Sequence, residues 1–309
     1  MALEDCLPED LRASEPTLTR IAAGLSGAGV YRVDAGGQSY VLKVASDDER
    51  PEGWRRALHF QRLAAEAGLT PRVVHADEAR RAVLTDFLVD RSFFAFYATP
   101  STRVAAVDAL GQTARRIHAL PMIEGDRARD PREVLAEVRD DSLAGFTLPA
   151  LAASAIEGML DEVPPPNDRP KTLCHNDLNP GNLAYDGARI QVLDWAAAGI
   201  NDPLYDLGVL ALFLRMDEAT SLRLLAAYEG REIGSLPARF GYNRRLAATL
   251  CGAFQMRIAR QLGHAGSNDG AAMALGDFYQ AMQRGELKLG TPAGQWAFGL
   301  ALFEEARQG

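Results

Sequence analysis

Residues 174–195 read CHNDLNPGNLAYDGARIQVLDW. The stretch sets His175, Asp177, Asn182 and Asp194 among turn, strand and core residues, and follows Asp194 with Trp195 and plain alanines. Pro180-Gly181 predicts a tight turn between Asp177 and Asn182. Asp186-Gly187 predicts a second turn, and Ile190–Leu193 a short apolar strand that ends at Asp194. A carboxylate, an amide and a second carboxylate are therefore carried on one loop and the strand after it.

That set suits phosphoryl transfer to a hydroxyl. A carboxylate such as Asp177 can orient the acceptor and take its proton. An amide oxygen and a carboxylate, Asn182 and Asp194, can hold magnesium against nucleotide phosphates. The step from Asp177 to Asn182 follows the kinase catalytic-loop pattern H-x-D-x-x-x-x-N, and Asp194 stands where the strand-borne metal carboxylate belongs. His175 reads as a hydrogen-bonded structural residue rather than a catalyst. Upstream, Gly24-Leu-Ser-Gly27-Ala-Gly29 precedes a strand. Its backbone N–H groups over Ser26, Gly27, Ala28 and Gly29 can approach phosphates, although glycine-rich turns open many ordinary hairpins. Lys43 is a cation inside the apolar strand text Val41-Leu42-Lys43-Val44, the place expected for a phosphate-pairing lysine.

The surrounding pattern predicts an α+β fold. Tyr31–Val33 and Tyr40–Val44 read as antiparallel strands around the turn Asp34-Ala35-Gly36-Gly37. A helix is expected over 52–67, stopped by Gly68, then a hairpin of 73–75 and 82–85. Residues 1–20 read as a helical or irregular arm. Beyond about residue 88 the text is mostly helical: 101–119, parts of 131–160, then 204–214, 217–229, 240–263, 268–284 and 292–306. The aromatic run Phe93-Phe94-Ala-Phe96-Tyr97 reads as core, with an apolar wall of the acceptor site as the other reading.

Composition narrows the function classes. The chain has 309 residues and a formal charge of −8, with no basic stripe, so nucleic acid is not an expected partner. No apolar run is long enough to span a membrane, and the first 20 residues carry early acids rather than an apolar leader core. Cys6, Cys174 and Cys251 form neither a metal spacing nor a disulfide framework, which suits a reducing, cytoplasmic setting. The oligomeric state is not legible.

HNDLNPGN, VLDW and AGINDPLYDLG together resemble the choline/ethanolamine kinase and aminoglycoside phosphotransferase superfamily, above all its bacterial choline kinase-like and thiamine kinase-like members. The match is close over about 172–210 and looser from the glycine-rich loop to Leu84-Thr85-Asp86-Phe87-Leu88, which looks like the family's adenine hinge. The resemblance implies a bilobal protein kinase-like fold, with a small β-rich N-lobe over 1–88 and a larger, mainly helical C-lobe over 89–309. It implies ATP and Mg2+ as cofactors and a small polar, amine-bearing hydroxyl compound as substrate. Asp177 would be the base, Asn182 and Asp194 the metal ligands, and His175 the brace of the loop. Backbone groups near Asp86 and Leu88 would hold adenine, and Asp206 would be the structural carboxylate of the helical lobe.

Two departures stand out. The family text D-W-E-Y is here Asp194-Trp195-Ala196-Ala197, which weakens choline as the substrate. The helix glutamate that usually pairs with the strand lysine falls at Ala57, with Glu52, Gln61 and Glu66 as possible replacements. Two other classes remain in view: a nucleotide-binding pseudokinase or regulatory module, and a metal-dependent hydrolase built on His175, Asp177 and Asp194. The latter needs further ligands, yet His59, His75, His118 and His264 stand in no ligand-like pair.

Overall fold

The structure is a computed structural model that describes residues 2–21, 28–46, 49–122 and 130–308. The chain sorts into two compact units, one of residues 1–121 and 177–198, the other of 122–176 and 199–309.

The first unit opens with helix α1 (Glu9–Ala13) and strands β1 (Thr17–Arg20), β2 (Gly29–Ala35) and β3 (Gln38–Val44). Helix α2 (Pro51–Glu66), strands β4 (Val73–Asp77) and β5 (Ala82–Asp86), and helices α3 (Phe93–Ala98) and α4 (Pro100–His118) follow. The five strands form one antiparallel sheet in the order β1-β2-β3-β5-β4. The β2–β3 turn needs positive φ at Gly36 (58°) and Gly37 (77°), which glycine supplies without a Cβ clash. The expected arm over 1–20 is corrected here. Thr17–Arg20 pairs with β2 as an edge strand, consistent with the β-branched alternation Thr-Leu-Thr.

Alternation along the strands gives the sheet two covered faces. Leu42 and Leu84 point to one face, packed with Cys6, Leu7 and Leu11 of the N-terminal arm. Val83 points to the other, packed with Trp54 and Leu58 of α2. Lys43 is paired in register with Val83, one residue on from Leu42, so it emerges on the α2 face. The aromatic run after the sheet divides. Phe93 and Tyr97 are buried, whereas Phe94 is 60% exposed.

The second unit begins with α5 (Pro131–Glu137), α6 (Ala150–Asp161) and the short strand β6 (Thr172–Cys174). The chain then returns to the first unit for the hairpin β7 (Leu183–Tyr185) and β8 (Ile190–Val192). The rest of the second unit is β9 (Gly199–Asn201), α7 (Pro203–Phe213), α8 (Glu218–Glu229), α9 (Ala238–Gln261), α10 (Leu275–Gln283) and α11 (Pro292–Gln308). The helix expected over 268–284 starts later, at Leu275. The preceding residues are tied in local turns, with Asp269 N–H on Ser267 Oγ and Ala271 N–H on Asp269 Oδ1. No helix among the described residues is long and apolar enough to cross a membrane.

Pro51, Pro100, Pro131 and Pro203 open α2, α4, α5 and α7, where the missing N–H costs nothing. Helix α7 is buried on every side and packs against α9 so closely that Gly208 has no room for a side chain. A Cβ there would lie 2.9 Å from the Arg244 backbone nitrogen. Gly208→Ala is therefore expected to destabilise the protein by about 1–3 kcal/mol through backbone displacement. A thermal melt unchanged from the parent would refute that packing.

Candidate active site

Strand β6 delivers His175 and Asn176 to a turn held from α7. The buried Asp206 carboxylate accepts the His175 N–H at Oδ2 and the Asn176 N–H at Oδ1, both at 2.7 Å. Asn176 has φ 63°, a left-handed conformation that asparagine tolerates better than most residues. Its side-chain oxygen accepts a hydrogen bond from Asn201 Nδ2 at 2.8 Å. The neighbouring Asp202 caps α7 by accepting the Leu204 N–H, and its other oxygen takes Arg239 Nε at 2.7 Å and Asn243 Nδ2 at 3.0 Å. Asp202 and Asp206, one helical turn apart, thus hold the start of α7 and the end of β6.

Asp177 follows directly and is fixed by amides. Asn179 Nδ2 donates to its Oδ1 at 2.8 Å, and Asn182 Nδ2 donates to its Oδ2 and to its backbone oxygen at 2.9 Å. Asn179 also accepts the Gly181 N–H, which forms the single turn Pro180–Asn182. With its amide nitrogen committed to Asp177, Asn182 has Oδ1 as its remaining side-chain acceptor. Its backbone oxygen accepts the Leu193 N–H at 2.8 Å, which locks the loop to the chain that leads into Asp194. The β8 strand is in turn held by Val192 N–H on Leu69 O at 2.7 Å, and Arg91 N–H bonds Tyr185 O.

Asp194 has φ 59° and ψ 79°, a left-handed conformation off the regular strand. A non-glycine residue held there costs about 1–3 kcal/mol, and such residues gather at functional sites. Its Oδ1 lies 2.7 Å from Lys43 Nζ, with both side chains about a third exposed. Trp195 is buried beneath it, donates Nε1–H to Val192 O and packs toward α2.

The sequence-selected positions fall as follows. Lys43, Asp177, Asn182 and Asp194 all belong to the first unit, His175 and Asp206 to the second. Gly29 opens β2 opposite Val44, next to Lys43 in the ladder, and Ala28 is buried just before it. Ser26 and Gly27 lie outside the described residues. Asp86 closes β5 with its N–H on Arg72 O and its carboxylate gripped by the Arg72 guanidinium at 3.0 and 3.1 Å. Leu88 follows β5 and, with Asp86 and Phe87, lines a cavity of ≈ 420 Å³.

Of the three residues weighed as partners for Lys43, Glu52 and Glu66 are exposed and only Gln61 lines the small cavity beside the lysine, with Ala57. Two residues were not foreseen. Asn179 orients Asp177, and its position two residues on from the aspartate is the signal that could have found it. Glu49 lines the Lys43 cavity from the loop before α2. Burial pushes its carboxyl up, the Lys43 charge pulls it down, and the Asp194 charge pushes it up again.

The sequence pattern of the phosphotransferase enzyme family matches residues 17–244. An aminoglycoside 3'-phosphotransferase of Streptomyces ribosidificus is 28% identical over 180 residues, which are 53% of this chain and 66% of that protein. The chain spans between about a sixth and two thirds of the length of the curated relatives it matches. A choline/ethanolamine kinase family protein from Mesorhizobium loti shares the fold at a TM-score of 0.62 and 20% identity, covering 94% of this chain and 92% of that one. A thermostable mutant of aminoglycoside phosphotransferase APH(4)-Ia, solved as a ternary complex with ADP and hygromycin B, shares it at 0.59 and 17%, covering 94% and 93%. Since the family pattern runs from β1 into α9 and takes in every element that carries the site, the chain belongs to the phosphotransferase enzyme family.

Proposed function

We propose that the protein transfers the γ-phosphoryl group of ATP, with magnesium, to the hydroxyl of a small polar, amine-bearing metabolite. The observation that carries this reading is the 2.7 Å pair of Lys43 Nζ and Asp194 Oδ1, which joins residues 151 positions apart. A phosphate-binding cation and a metal-binding carboxylate have reason to meet in a phosphotransferase. Asp177 orients and deprotonates the acceptor hydroxyl, with its own carboxylate aimed by Asn179 and Asn182. The oxygen donors of Asn182 and Asp194 fit a small hard dication. When bound, magnesium supplies charge neutralisation at the β- and γ-phosphates. Lys43 and the backbone of Ser26–Gly29 position the phosphates, and backbone groups near Asp86 and Leu88 hold adenine. The nucleotide then belongs to the lobe of residues 1–88, and the acceptor to the helical lobe of 89–309.

Most of the acceleration in such a site comes from alignment and electrostatics, with proton transfer a smaller part. The structural neighbour that holds ADP and hygromycin B supports a nucleotide and an amine-bearing acceptor on this fold. Ala196, in place of the usual acid after Trp195, argues against simple choline. A hydrolase built on Asp177 or Asp194 lacks support: among the described residues, no cluster of His, Cys, Asp or Glu ligands includes either.

The test is magnesium-dependent ADP release against a panel of small alcohols. Asp194→Ala should abolish that release while keeping the parent's melting transition. Near-normal release in the variant would sink the metal assignment. Tight ATP binding without turnover on any alcohol would favour the pseudokinase reading.

A further inference from the structure

The first unit holds one ammonium among two carboxylates. Lys43 reaches the α2 face of the sheet and pairs with Asp194 at 2.7 Å. Facing that pair, α2 offers Ala57 and, one turn on, Gln61, neither of them charged, while Glu52 and Glu66 point to solvent. The remaining acid on the cavity wall is Glu49, which is half-buried. Its backbone is pinned on both sides. Its N–H donates to Ser46 O at 3.1 Å, and its carbonyl accepts the Arg81 guanidinium. Arg81 O in turn accepts the Ala45 N–H, so the loop after β3 is stitched to the β4–β5 turn. Glu49 therefore shares the cavity wall with Lys43 from the loop before α2, and its own N–H and C=O are both hydrogen-bonded.

We propose that Glu49 is the positioning carboxylate for Lys43, holding the ammonium in place when Asp194 is engaged by the metal and nucleotide. The inference rests on the kinase reading above and assigns the counter-charge to the loop before α2 instead of to α2 itself. With nucleotide bound, Asp194 would hold the cation, and Glu49 would leave Lys43 one acid partner while its ammonium positions phosphate. Lacking Glu49, the lysine would stay drawn to Asp194 and the two groups would compete for each other.

The experiment pairs turnover with nucleotide affinity. Glu49→Ala and the isosteric Glu49→Gln should each lower the magnesium-dependent ATP turnover by about 10- to 100-fold, the range for losing a hydrogen bond to a charged group. Calorimetric ADP affinity should fall by about 3- to 10-fold, with the melting transition unchanged. In a Lys43→Ala background, Glu49→Ala should change ADP affinity no further, because its effect runs through the lysine. Parental turnover in Glu49→Gln, or an equal loss of affinity with Lys43 absent, overturns the proposal while the kinase reading stands. A parent protein that consumes no ATP with any alcohol overturns both.

Discussion

Asp177→Asn is expected to lower phosphoryl transfer by about 10²- to 10⁴-fold, the usual contribution of a positioned general base. The substitution keeps the shape of the side chain and one acceptor oxygen, but not both. Asn179 and Asn182 each donate to a different oxygen of the carboxylate, so one amide loses its partner. The stability cost of that single bond is about 1 kcal/mol, far less than the effect on rate. Turnover and thermal melting should therefore separate. The loss should appear in kcat, because the base acts on the transition state more than on substrate binding. A variant that retains more than about a tenth of the parental rate would remove Asp177 from the base role.

The second large effect concerns stability. Asp206→Ala leaves the buried His175 N–H and the partly buried Asn176 N–H without their acceptor, and each is a charge-assisted bond of 2.7 Å. The expected destabilisation is about 3–4 kcal/mol, read by denaturant unfolding. Asp206→Asn retains one acceptor oxygen and should lose less. Turnover should fall with Asp206→Ala even where the protein remains folded. The left-handed turn at Asn176 aims the residue that follows it, Asp177, and that turn hangs on the Asp206 carboxylate. Equal stability of the two variants would show that the hydrogen bonds are not what the carboxylate supplies.

Much of the fold was legible because local chemistry and tertiary packing agree. Gly36-Gly37 marked the β2–β3 turn, although Asp34 and Ala35, read as part of that turn, are paired strand residues of β2. The alternation around Lys43 identified a strand. What was not legible depended on neighbours far off in sequence. Thr17–Arg20 is a strand because β2 lies beside it, and four residues of alternation are too few to announce that. Phe93–Ala98 divides into buried and exposed rings because the surroundings of α3 differ on its two sides. The candidate site was legible as a spacing, His175-x-Asp177 to Asn182 and then Asp194, because that chemistry needs fixed intervals along a loop. The pairing of Lys43 with Asp194 and the presence of Glu49 beside them carry no such interval. A loop acid six residues after a strand lysine gives no periodic signal, and only the cavity that Glu49 shares with Lys43 reveals it.

The order in which the chain is made adds a last point. Lys43 and Asp194 stand 151 residues apart, although both belong to the first unit. The sheet that bears the lysine is complete only at Asp86, the end of β5, so at a synthesis rate of about 5–20 residues per second it precedes its acidic partner by roughly 5–22 s. For that interval the nascent sheet holds its ammonium without the Asp194 carboxylate, and the segment 177–198 must later join a body that formed first. A fragment ending at residue 121 would keep all five strands and Lys43 but lack Asp177, Asn182 and Asp194 altogether. The protein's chemistry is thus the last thing its first unit acquires.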